Sequence, residues 1–366
     1  MEKQLPSFVR GLLLAIALAT AWVPTKPALA ADKITYAWPG VITQGIAPFA
    51  FAQDLGFFKD EGIDFEVITL QGSGVIIPQL LAGTIFSSYA SPDLLVISRQ
   101  PGKPDFDIRY VYNAVRNSIW EISVLADSPI KSVKDLKGKN IGVGALTFAN
   151  VPMTRAILKQ QSVDPNDVSF IAVGGGVPAF EALRTGKIDA LNLFDVQDAQ
   201  LELQGTKIRI LQFPPQFRGV SSHGFPVTNT MIREHPDLIE RFGRAATEGT
   251  VACEANLTGC LFAYWKMFPE LKPATVDDKA IAGERSLIAI RVKNMNSFDP
   301  GEAHHYGAYK DKDWQTVIDS LRLGGQLGDS EIKLNSLYTN QFVEAYNRFD
   351  TAKVVQRANA YAIPAH

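Results

Sequence analysis

The sequence predicts an α/β protein built as two lobes, with a ligand cleft between them and two hinge strands joining them. Two observations carry this prediction. Sliding "VITLQGSGVIIPQLLAGTIFSSYASPD", Val67 to Asp93, by 103 residues lays it without a gap on "FIAVGGGVPAFEALRTGKIDALNLFDV". Gly72 then meets Gly175, Leu80 meets Leu183, Gly83 meets Gly186 and Ile85 meets Ile188. The second observation is a pair of extended passages, one between the repeat units and one just after the second unit. Strands alternating with helices imply right-handed crossovers and a mostly parallel sheet, so each unit builds one open lobe.

Taken in chain order, Lys3 and Arg10 precede the apolar run "GLLLAIALATAWV", and Ala28-Leu29-Ala30 offers small residues for cleavage. This is the pattern of a secretory signal peptide over residues 1–30. A run of about 13 apolar residues falls short of the roughly 20 that span a bilayer, and no cysteine follows the cleavage site to take a lipid. The mature chain expected from Ala31 keeps about 336 residues, too many for one ordinary core and suited to two. Its 33 basic and 37 acidic residues leave a net charge of −4, with no electrostatic footprint for nucleic acid or an anionic membrane. A soluble, monomeric, periplasmic protein is expected.

The first unit reads "KITYAWPG", a helix, "FFKDEGIDFEV", a glycine turn, a helix and a short strand. The second reads "KNIGVGAL", a helix, "QQSVDPNDVSF", and the same sequel. Between them "RYVYNAVRNSIWEISVLADSPI" carries the chain out of the first lobe, and "SSHGFPVTNTMI" brings it back. The expected lobes are residues 31–118 with 225–366, and residues 119–224. Hinges are expected at Asn117 to Trp120 and Ser222 to Pro226. From Pro236 the pattern is helical, with Leu238, Phe242, Ala245, Gly249 and Cys253 on one face and Trp314, Ile318 and Leu321 on another. This segment is expected to pack back on the first lobe.

Cys253 and Cys260 are the only cysteines, which excludes a cysteine-rich metal site. On one continuous helix their Cα atoms would stand about 10 Å apart, beyond the roughly 7 Å that a disulfide tolerates. Asn256 and Gly259 lie between them as possible breaks, so a bridge and two buried thiols both stay open. Catalytic signatures are missing: there is no GxSxG elbow, P-loop lysine motif or HExxH. Adjacent His304 and His305 point apart and lack a spaced carboxylate to complete a metal site. The glycine turns also lack the acidic residue that follows a dinucleotide fingerprint.

The export signal, "AWPGVITQGIAPFAFAQDLGFFKDEGIDFEV", "LLAG", "SPIKSVKDLKGKNIGVG", "LRTGKIDALNLFDVQDA" and "LYTNQFVEAYNRFD" together resemble the solute-binding proteins of ABC importers. The branch is that of nitrate, sulfonate and taurine receptors and thiamine-pyrimidine-precursor binders. The resemblance runs in order over nearly all of the mature chain. It implies a type II periplasmic-binding-protein fold that needs no cofactor, closes on a small molecule and delivers it to a membrane permease. The same branch includes a pyrimidine synthase and an aromatic sulfinate desulfinase, and an enzyme of that kind is the alternative. The synthase resemblance requires a cysteine-rich motif and the desulfinase a nucleophilic cysteine in the cleft. Here both cysteines fall on the late helical segment.

Loops at the carboxyl ends of parallel strands line the crevice of such sheets. From the first lobe they offer Trp38, Gln44, Gly72, Ser73, Gly74, Tyr89 and Ser91. Trp38 either stacks on a planar ligand or packs in the core. Ser73 either donates to a ligand oxygen or caps its helix. The second lobe offers Thr147, Phe148, Asn150, the turn at Gly175, and Asp195, which either accepts from a ligand amine or caps the following helix. Arg116, beside Asn117 at the first crossing, is either a counter-charge for an anion or part of a structural ion pair. Hydroxyls, amides, rings and backbone N–H groups dominate this set, so a small anionic or polar organic ligand is expected: a sulfonate, an aromatic carboxylate or a pyrimidine.

Overall fold

The computed structural model describes residues 31–148, 150–217 and 223–364. The expected signal peptide and the hinge residue Ser222 lie outside them. The first sheet is parallel, in the order β2–β1–β3, with β1 at Asp32–Pro39, β2 at Ile63–Leu70 and β3 at Ser87–Ser88. Tyr36, Ala37 and Trp38 in β1 are all buried, as expected of a central strand covered on both faces. Next come β4 (Ile108–Val115), β5 (Ser123–Leu125), β6 (Asn140–Val143), β7 (Ser169–Ala172), β8 (Ala190–Asn192), β9 (Ile208–Ile210) and β10 (His223–Thr228). The larger sheet has the order β7–β6–β8–β5–β9 and lies wholly within residues 123–210.

The sequence repeat is a repeat of topology. In each unit the first strand is central, the second pairs on one side and the third on the other, all parallel. The glycine turns match in role but differ by one residue. Gly72, at φ +78°, precedes the helix Ser73–Leu81, whereas the counterpart is Gly176, at φ +66°, before the helix Val177–Arg184. Both backbones occupy the left-handed half of conformational space, where a Cβ is disfavoured.

The two extended passages meet as β4 and β10, an antiparallel pair from His223↔Val115 to Thr228↔Ile108. A bridge from Ala90 to Gly224, and the Ser87 hydroxyl donating to the Pro226 carbonyl at 2.8 Å, join this pair to the first sheet. A second junction, the bridge Trp120↔Phe194, ties the chain after β4 to the end of β8.

The C-terminal helices do not confine themselves to the first sheet. Pro236–Ala255 does pack on Ala47–Asp54, but Asp311–Leu323 lies against Asn150–Gln160 and Asp278–Met295 against Asp195–Leu203. The approach at Asn150–Gln160 is close because both sides are small: a Cβ on Gly324 would stand 3.2 Å from Ala156. Gln326 then donates to the Pro152 carbonyl at 2.9 Å. One apolar cluster runs from Tyr36, Phe49 and Phe242 through to Leu183, Leu191 and Leu193, so the two sheets share a continuous core along the cleft.

Cys253 and Cys260 are joined as a disulfide. The helix breaks at Asn256, whose backbone (φ −142°, ψ 81°) is far from helical and whose side chain accepts from the Gly259 N–H to start the helix Leu257–Met267. The break brings the Cα atoms to 5.1 Å, half the distance that a straight helix would impose.

Candidate functional site

The carboxyl ends of β1 and β3 and the glycine turn before Ser73–Leu81 face Phe148, Phe194 and the chain around Trp120. Between them lies a cavity of about 450 Å³ of empty space, counting its mouth. Six residues singled out from the sequence line it: Trp38, Gly72, Ser73, Tyr89, Ser91 and Phe148. Trp38 stacks on Tyr89 with centroids 4.7 Å apart, and Tyr89 on His223 at 4.9 Å, giving a column of three rings. Trp120 meets Phe194 edge-on at 6.1 Å and His223 at 5.3 Å. The Trp38 indole N–H donates to the Val41 carbonyl, which fixes the ring and leaves its face for packing.

Polar groups are few and tightly held. Arg291, only 1% exposed, comes from the helix Asp278–Met295 and donates to Asp195 Oδ1 at 2.6 Å. Asn294 donates to the other oxygen of Asp195 at 2.7 Å. Burial opposes the charge on Arg291, but Asp195 outweighs it and holds the guanidinium pKa above its ordinary value. Burial, with Arg291 nearby, pushes the His223 pKa well below its usual range, so the imidazole is neutral. Burial likewise lifts the Tyr89 phenol to about 12. The site is therefore a ring-lined slot with hydroxyls from Ser73 and Ser91 and one neutralised ion pair.

The remaining sequence candidates lie outside the lining. Gln44 donates to Glu284 at 2.6 Å, and Asn150 turns inward to the Asn192 carbonyl at 2.6 Å. Arg116 is ion-paired to Glu302 at 2.6 Å and sits over Phe298, while Asn117 donates to the Ser297 hydroxyl. Thr147 donates to the Gln71 carbonyl at 3.3 Å across the mouth, and a Cβ on Gly74 would touch it. Gly175 abuts Gln197 and Val41. Asp195 stands behind Arg291, one residue beyond the lining Phe194.

Sequence reasoning took Trp120 for a hinge residue, left His223 in the returning strand, and missed Arg291. A signal for the last does exist. Leu287, Ile288, Val292 and Met295 form a buried helical stripe, and Arg291 falls within it. An arginine on an apolar stripe must find a buried partner.

Two open α/β sheets around a cleft walled by strand-end loops define a fold of the periplasmic-binding-protein type. Residues 43–256 match the family described as NMT1/THI5 like, and the chain belongs to that family. It is 24% identical over 356 residues to the riboflavin-binding protein RibY of Chloroflexus aurantiacus, covering 91% of this chain and 95% of that one. A solved structure from Bordetella bronchiseptica RB50 superposes with a TM-score of 0.67 at 20% identity, over 87% of this chain and 98% of that one. The alkanesulfonate-binding protein SsuA of Xanthomonas axonopodis pv. citri, bound to MOPS, gives 0.56 at 14% identity, over 71% and 85%.

Proposed function

We propose that this protein is an extracytoplasmic solute-binding receptor that encloses a small polar molecule carrying a planar ring and delivers it to the membrane permease of an ABC importer. The Trp38–Tyr89–His223 column facing Trp120 and Phe194 carries this reading, because flat aromatic walls with a few hydroxyls fit a planar ring and orient its polar edge. Membership of the family supports it, as does the name of the Chloroflexus relative, since riboflavin is a planar heteroaromatic molecule. In this reading residues 31–118 with 225–366 form one lobe and 119–224 the other, closing about Asn117 to Trp120 and Ser222 to Pro226. Residues 1–30 direct a monomeric protein to the periplasm. Among the described residues no helix is long and apolar enough to cross a membrane.

A receptor is favoured over an enzyme of the same branch because desulfinase-type chemistry requires a cleft thiol, and both cysteines here are joined between two C-terminal helices. Native mass spectrometry of protein purified without refolding tests the proposal. A co-purified ring compound, lost in Trp38→Ala, is the expected result. No bound mass, together with no change in tryptophan fluorescence across a panel of ring compounds, would overturn it.

A further inference from the structure

We infer that Asp195 is a built-in counter-ion that sets the charge preference of the cleft: by neutralising Arg291 it makes the cavity select a neutral ring over an anionic one. The inference deepens the ring-binding reading above and rests on it. Among the described residues lining the cavity, Arg291 has the only guanidinium or ammonium group. Left alone, a guanidinium 1% exposed at the wall of an apolar slot would capture any anion that entered. It is not left alone.

Asp195 Oδ1 takes its Nη2–H at 2.6 Å, with a longer contact from Nε to Oδ2 at 3.4 Å. The carboxylate is itself fixed by Asn294 and by the Val196 N–H at 2.7 Å. The guanidinium is also walled in from behind. A Cβ on Gly45 would stand 2.6 Å from Arg291 Nη1 and 3.3 Å from the Trp38 ring, so the guanidinium packs close against the Gly45 backbone on that side. A ligand anion would have to displace a prepositioned carboxylate in a low-dielectric site, or enter as a second negative charge beside it.

Other ionisable groups around the pair do not cancel this balance. His223 is held neutral, and Glu121 and Asp198 lie behind Asp195 with their pKa values raised, chiefly by burial, toward the protonated form. Tyr89, whose hydroxyl lies 3.5 Å from Arg291 Nη1, is a neutral phenol.

Benzamide, benzoate and benzamidine share one ring and differ in charge, so titration calorimetry with these three probes tests the inference. The wild-type protein should prefer benzamide over both ions. Asp195→Asn, which frees the guanidinium, should raise the benzoate-to-benzamide affinity ratio by about tenfold or more. Arg291→Gln, which leaves the carboxylate, should raise the benzamidine-to-benzamide ratio similarly, and it decides the matter alone if Asp195→Asn does not fold. Wild-type protein that binds benzoate as tightly as benzamide, or folded variants with unchanged ratios, would overturn the counter-ion role. Failure of benzamide to bind wild-type protein counts instead against the ring-binding reading. In that case the counter-ion role is judged by absolute affinity, benzoate having to bind Asp195→Asn, or benzamidine Arg291→Gln, more tightly than wild type.

Discussion

Ser73 is the first residue of its helix, with Gly72 in the capping position, and its hydroxyl makes no capping bond. The hydroxyl is therefore not engaged in the role that a serine before a helix usually serves. Ser73→Ala should leave the melting temperature unchanged while weakening ligand binding by about 0.5–1.5 kcal/mol, as titration calorimetry beside a thermal melt will show. Gly72→Ala should differ, because its φ of +78° and a Cβ placed 2.7 Å from the Phe148 ring both oppose the substitution. Stability should fall by about 1–2 kcal/mol from backbone conformation alone, and binding should fall with the displaced ring.

Glu121 supplies a pH signature at the same scale. Burial, and then the charge of Asp195, lift its pKa from 4.5 to about 7. The folded protein thus holds a proton that the unfolded chain releases between these values, so this group makes stability fall as pH rises from 4.5 to 7. Melts of Glu121→Gln across that window should show a smaller decline than wild type, and an equal or steeper decline would exclude the effect. Trp38 and Tyr89 were legible in the sequence because strand ends in such sheets face the crevice. Arg291 was not, because its partner lies 96 residues away in sequence and is set by packing between helices.

At the scale of elements, the repeat revealed itself because both units solve the same packing problem with the same order of strand, helix and glycine turn. The extra residue before the second helix escaped the ungapped alignment, since Gly175 and Gly176 are both glycines and only backbone conformation tells them apart. The cysteine pair shows another limit. Spacing allowed a bridge only if the helix broke, and what breaks it is Asn256 capping the next helix through Gly259. Closing so short a loop restricts the unfolded chain modestly, so the Cys253→Ser, Cys260→Ser double variant should lose about 2–3 kcal/mol, read as a lowered denaturant midpoint. An unchanged midpoint under reducing and oxidising conditions alike would show that the bridge contributes nothing.

For the whole molecule, Thr147 reaching Gln71 and Phe148 packing on Gly72 show the cleft walls in contact. Small-angle scattering should give a larger radius of gyration for ligand-stripped protein than for protein saturated with its co-purified compound, and equal values would argue against hinge closure. The two-lobed class was legible from the repeat and the two extended passages. The bridging by C-terminal helices was not, because amphipathic helices announce that they bury a face and say nothing of which neighbour receives it. The β4–β10 pair carries a consequence for biosynthesis. The strand that extends the first sheet, β10, ends at Thr228, and the long helix covering Ala47–Asp54 ends at Ala255. A nascent chain emerging from the ribosome therefore carries its first three strands, apolar and unfinished, until the segments ending at Thr228 and Ala255 have been made. That delay leaves apolar surface and an unpaired strand edge exposed, the condition in which a partly made chain is most prone to aggregate.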